Sequence, residues 1–191
     1  MSRIGRHLIS IDDLDRQGME RILDRAESFA EVSGREIKKV PALGGRTVVN
    51  LFYEASTRTS SSFELAAKRL SADVVNIRSA GSSVDKGVSL KDTVQTLSAY
   101  DPAAIVIRSP HAGAAQLVAG WTPASVINAA RLRPGQLLMH PGPVNRGVEL
   151  SADAIDSPQG LIGEQVKAVV AVRMAVLYEL LVGSPVLAAV A

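Results

Sequence analysis

What most limits the fold of this chain is an alternation of short, unbroken apolar runs with segments of helical period. Thr47-Val48-Val49-Asn50-Leu51-Phe52, residues 73–77, Ala104-Ile105-Val106-Ile107 and Ser125-Val126-Ile127-Asn128 are too short for helices. Being apolar on successive residues, they suit strands covered on both faces. Between them, residues 59–70, 90–100 and 112–119 read as helices. Residues 10–30 precede the first strand as an amphipathic helix, with a capping-box-like start at Ser10 and Asp13 and apolar Met19, Ile22, Leu23, Ala26 and Phe29 at helical spacing. The succession predicts an α/β fold: a parallel β-sheet flanked by helices and joined by right-handed crossovers.

After Asn128 the rhythm fails. Residues 129–134 read as a short join, 136–139 as a small strand, 141–157 as mostly loop, and 159–181 as a long closing helix stopped by Gly183 and Pro185. The chain therefore divides into a main domain over 1–131, a remnant loop over 132–158, a helix over 159–183 that packs back on the first domain, and a tail over 184–191.

Composition narrows the function classes. Apolar residues are 47% and charged residues 21%, enough for a packed core, and with aromatics at 4% that core rests on Ala, Val, Leu and Ile. The 21 basic residues nearly balance the 19 acidic ones, which gives no electrostatic case for nucleic acid. The chain has no cysteine, which removes disulfides, thiol catalysis and thiolate metal sites together. No signal-peptide core appears near the N-terminus, so a cytoplasmic location is expected. The most apolar stretch, 166–191, is interrupted by Lys167, Arg173, Glu179 and Pro185; a buried helix is expected there, with no membrane span.

The strongest chemical signal is Phe52-Tyr53-Glu54-Ala55-Ser56-Thr57-Arg58-Thr59, between the first strand and the next helix. Small hydroxyl residues at such a junction can offer donors to an anion, and the helix N-terminus adds about half a positive charge. Arg58 would supply a planar donor fork for a phosphate. Taken alone, the segment reads first as a plain helix cap, Ser and Thr being common there. Three more segments shift that balance. Gly81-Ser82-Ser83-Val84-Asp85-Lys86-Gly87 is a loop carrying a lysine. Ile107-Arg108-Ser109-Pro110 sets an arginine at the carboxyl end of a strand, where open sheets bind ligands. Met139-His140-Pro141-Gly142-Pro143-Val144-Asn145-Arg146-Gly147 is a proline-rich loop whose carbonyls could point into a site.

In order and wording these four segments resemble the transcarbamoylase family, and within it the aspartate carbamoyltransferase catalytic chain. The likeness covers residues 6–128 and resumes over 132–183. By that resemblance, Ser56, Thr57, Arg58 and Thr59 would hold the phosphate of carbamoyl phosphate, and Arg58 would stabilise charge on the departing phosphate. Arg108 and Thr59 would polarise the carbamoyl oxygen. The carbonyls of Pro141 and Gly142 would accept from the carbamoyl NH2. Ser82 and Lys86 would reach a neighbouring subunit's site, which implies a homotrimer or a mixed oligomer with a paralogue. No metal or organic cofactor is implied.

The chain also departs from the family pattern. After Ala129 the family continues with a His-Pro-Thr-Gln segment and then the aspartate domain; here Ala130 and Arg131 follow, and the chain passes almost directly to the proline loop and the last helix. Ser60 stands where the family usually has Arg, Val88 where it has Glu, and Ser109 where it has His. His111 reads as a surface histidine, His140 as a loop-orienting residue, and His7 has no visible role. The expected protein of pyrimidine biosynthesis therefore binds carbamoyl phosphate or phosphate with impaired transfer. A non-catalytic assembly paralogue, or an internally shortened product of an active gene, are the alternatives.

Overall fold

The computed structural model describes residues 5–54, 56–78, 88–129 and 162–182, with side chains of the last stretch described from residue 168 onward. The expected strand over 136–139, the remnant loop and the tail lie outside the described residues.

Four strands form one parallel sheet: β1 Thr47–Phe52, β2 Asp73–Arg78, β3 Ala104–Arg108 and β4 Ser125–Asn128, in the order β2-β1-β3-β4. The helices are α1 Arg16–Gly34, α2 Thr57–Arg69, α3 Leu90–Ser98, α4 Ala114–Trp121 and α5 Ile162–Leu181. The chain moves outward from β1 to β2, then returns to place β3 on the other side of β1. With one crossover hand throughout, that reversal sends α2 to one face and α3 and α4 to the other.

The alternation within each strand shows both faces filled. Val48, Phe52, Ala104, Val106 and Ile127 pack with α1, α2 and α5. Val49, Leu51, Ile105, Ile107 and Val126 pack with α3 and α4. α5 lies against both α1 and α2, and Val170, Ala171, Met174, Ala175, Leu177, Leu180 and Leu181 on it are buried. A helix apolar on more than one side, with its few charges at the edges of the contact, suits such a wedge. It is also tied at its end: the Arg46 guanidinium, from the turn into β1, donates to the carbonyl of Leu181.

Three expectations are corrected. The capping box of Ser10 and Asp13 forms, but on a separate 3-10 turn over Ile11–Asp13. Leu14 is extended, and α1 starts anew at Arg16 with Asp15 as its cap, its carboxylate accepting from Gly18 N–H at 2.6 Å. β2 is the edge strand of the sheet among the described residues, and its residues are exposed or half-buried rather than covered on both faces. His7 has a role. Its Nδ1 accepts the Val126 N–H at 3.1 Å, beside a parallel bridge of Leu8 to Ile127, so the N-terminal segment extends the sheet at β4.

Candidate functional site

The crevice between β1 and β3 is where strand order reverses, and in open α/β sheets ligands bind outside the carboxyl ends of the strands at that point. Phe52 and Arg108 are register partners, and Tyr53 N–H donates to the Arg108 carbonyl at 2.8 Å, so the two strand tips end level. The chain leaving β1 must then turn into α2 beside the tip of β3.

α2 opens at Thr57, two residues before the sequence suggested, which puts Thr57, Arg58 and Thr59 inside its first turn. Ser56 is the N-cap residue, yet its side chain makes no capping hydrogen bond. The plain-cap alternative is therefore not what the Ser56 side chain does. Ser60 and Ser62 turn their hydroxyls back onto the helix, donating to the carbonyls of Thr57 and of Arg58 and Thr59.

Arg108 belongs to β3 rather than to the loop after it, on the face shared with α2, and is buried with 7% exposure. Its Nε donates to Glu54 at 3.0 Å, and its NH1 to the carbonyl of Ala129 at 3.4 Å. Burying a guanidinium is costly unless it is paired and hydrogen-bonded, which explains why both partners are close. Glu54 is half-exposed, so the pair is weaker than its geometry suggests. Sequence reasoning missed this pairing; the glutamate was visible in the motif, but its partner lies 54 residues away.

A second cation was also missed. Arg173 of α5 stacks over the Phe63 ring at 4.5 Å and donates to the Thr59 carbonyl at 3.5 Å. Burial, and then the charge of Arg58, lower its pKa to about 10, so it is still charged at neutral pH.

The structure thus brings Ser56, Thr57, Arg58, Thr59 and Arg108 to one end of the sheet. Ser82, Lys86, Pro141, Gly142 and His140 lie outside the described residues. Ser60 is buried, and Glu64, without an arginine at position 60, pairs instead with Lys68 at 2.6 Å, which is the main reason its carboxyl sits below the usual range. Val88 and His111 are exposed. A cavity of about 290 Å³ opens on the α4 side of β3, lined by Ile107, Ser109, His111, Gly113, Gln116 and Asn128 among others. Among the described residues no group of His, Asp or Glu could hold a metal ion, and no helix is long and apolar enough to cross a membrane.

Comparison with known proteins gives two family matches. Residues 6–140 match the aspartate/ornithine carbamoyltransferase carbamoyl-P binding domain, and residues 124–180 match the Asp/Orn binding domain of the same family. The aspartate carbamoyltransferase catalytic subunit of Salinispora arenicola is 60% identical over 124 residues, covering 65% of this chain and 40% of that protein. The catalytic subunit from Leifsonia xyli is 34% identical over 310 aligned positions, covering 93% of this chain and 98% of the relative. On a chain of 191 residues, that alignment leaves a long internal stretch of the relative without a counterpart. Among solved structures, the catalytic subunit of M. jannaschii aspartate transcarbamoylase superposes with a TM-score of 0.60 at 39% identity, over 65% of this chain and 40% of that one. The Trypanosoma cruzi aspartate transcarbamoylase in complex with carbamoyl phosphate gives 0.61 at 30% identity, over 66% and 39%. The chain spans about two fifths of the length of the Salinispora and Frankia relatives it matches.

Proposed function

The chain belongs to the aspartate/ornithine carbamoyltransferase family, and on that premise we propose that it binds carbamoyl phosphate, or phosphate alone, at the opening turn of α2. The observation that carries the reading is the first turn of α2, which brings Ser56, Thr57, Arg58 and Thr59 beside the tip of β3 with its buried Arg108, without a side-chain cap from Ser56. Hydroxyls, backbone N–H groups and guanidinium groups carried on one helix turn and the adjoining strand tip are the donors that suit a phosphate dianion.

In the transfer reaction an amine attacks the carbamoyl carbon, the carbonyl oxygen gains charge, and phosphate leaves. Arg58 would take the charge of the departing phosphate. Arg108 and Thr59 would polarise the carbamoyl oxygen, a role in which fixed donors are most effective. Two of the five N–H groups of Arg108 are used by Glu54 and Ala129, which leaves donors for that oxygen. Pro141 and Gly142 would accept from the carbamoyl NH2, and Ser82 and Lys86 would complete a neighbour's site in a homotrimer or mixed oligomer.

Attack needs the amine of aspartate held about 3 Å from the carbamoyl carbon, and orientation of that kind accounts for many powers of ten in rate. The internal stretch this chain lacks relative to Leifsonia xyli leaves that task without evident residues. Binding with impaired transfer follows. A second reading, a non-catalytic assembly protein working beside a full-length carbamoyltransferase, is favoured by Ser60, Val88 and Ser109 at positions where the family usually carries charge or a histidine.

Isothermal titration with carbamoyl phosphate separates the two. Micromolar binding that weakens about 30-fold or more in Arg58→Ala supports the site, the loss expected for one charge-assisted contact group. No heat at millimolar ligand would leave the assembly role. A colorimetric assay for carbamoyl-aspartate, with and without a full-length partner, measures transfer directly.

A further inference from the structure

Two guanidinium groups approach the opening turn of α2 from different elements. Arg58 belongs to the turn itself; Arg173 comes from α5, 114 residues beyond Thr59 in the chain. Arg173 rests on the Phe63 ring at 4.5 Å, one turn further along α2, and reaches the Thr59 carbonyl at 3.5 Å. Among the described residues, none of the ion pairs involves Arg173. Its positive charge is met by an aromatic face and a carbonyl dipole, neither of which cancels it. Burial of the charge, and then repulsion by Arg58, lower the Arg173 pKa, so the two guanidinium groups feel each other at this turn. The turn is therefore more positive than its own residues make it.

We propose that Arg173 is a positioning residue for the anion site: it braces the first turn of α2 through Thr59 and Phe63, and its charge turns the Arg58 guanidinium away from α5 and toward the anion. The inference rests on the reading of that turn as an anion site and assigns part of its strength to a helix outside it. α5 is then an electrostatic component of the site as well as a cover for the sheet, and an anion should tighten its docking.

The test uses the full chain, with inorganic phosphate as ligand and Arg173→Met, Arg173→Lys and Arg173→Gln as variants. Methionine keeps the apolar stem without the charge, and lysine keeps the charge without the planar fork. Phosphate affinity is expected to fall about tenfold in Arg173→Met and to recover to within about twofold of the unaltered chain in Arg173→Lys. Arg173→Gln gives the same comparison should the methionine variant fold poorly, and thermal melts of each variant report folding. A purely structural role predicts the reverse, a change in melting temperature with phosphate affinity unmoved, and that result overturns the proposal. A readout without ligand separates it from the functional reading: the Nε–Hε NMR signal of Arg58, assigned with Arg58→Lys, should shift in Arg173→Met and return in Arg173→Lys. If the unaltered chain binds no phosphate while that signal responds, the anion reading falls and the positioning of Arg58 stands. If the signal is indifferent to residue 173, the positioning falls.

Discussion

The two faces of the sheet are built differently. The face under α1, α2 and α5 holds 24 buried apolar residues among those described, and the face under α3 and α4 holds 11. The larger face is also laced with charge. Glu179 of α5 pairs with Arg25 at 3.2 Å and Arg21 at 4.0 Å, Arg25 lies over the Tyr178 ring at 4.6 Å, and Arg46 caps the end of α5. The smaller face is mostly aliphatic packing between short helices and strands. The side chain of Arg108 belongs to the larger face, with Val106 and Ala104, so the candidate site stands on the more heavily braced half of the molecule. A site that must place several donors within a fraction of an ångström benefits from that bracing.

The largest expected effect tests whether the faces are as unequal as they look. Leu177 is fully buried on α5, and Leu97 is buried on α3. By urea unfolding, Leu177→Ala should cost about 4 kcal/mol and Leu97→Ala about 2 kcal/mol, because the first cavity opens among more rigid neighbours. Equal losses would break the comparison.

A smaller effect, driven by pH, reaches both faces at once, since Leu8 packs on one and Ile9 on the other. His7 holds that segment to β4 as an acceptor, which requires its neutral form. Burial first, and then Arg6, depress its pKa below 6.5, with Asp13 opposing. The unfolded chain thus binds the proton more readily. The contribution of His7 is complete above 6.5 and is lost as pH falls through the depressed value. Melting temperature should drop between about pH 7 and about pH 5.5 in the unaltered chain, and drop less in His7→Asn, which keeps an acceptor without a titration. Parallel curves would remove His7 from the account.

The smallest effect concerns the end of α2. Ser71 sits at φ 68 in a Schellman closure, with Ser71 N–H to the Lys68 carbonyl and Ala72 N–H to the Ala67 carbonyl. Glycine adopts that backbone without the side-chain penalty. Ser71→Gly should raise stability by about 0.5 kcal/mol, read by calorimetry. A loss would show that the Ser71 side chain contributes to the larger face.

Strand and helix order was legible in the sequence because apolar runs and helical period are local. The misplacements came from competition between nearby signals. Ser10 and Asp13 form the expected capping box, but extended Leu14 separates it from the helix that Asp15 caps. The hydroxyl-rich motif at residues 56–59 was found, and only its position relative to the helix start shifted. Glu54 against Arg108, and Arg173 against Thr59, were not legible, since each joins residues that only the fold brings together. His7 was silent for the same reason: its partner is a backbone N–H 119 residues away.

The wedging of α5 between α1 and α2 also governs when this protein can fold. Arg25 meets Glu179 across 154 residues, so the larger face cannot close until the last helix has left the ribosome. Until then the apolar surface that α5 covers on α1 and α2, Phe29 and Phe63 included, is open, and a nascent chain stalled before residue 162 presents it to the cell's chaperones and proteases.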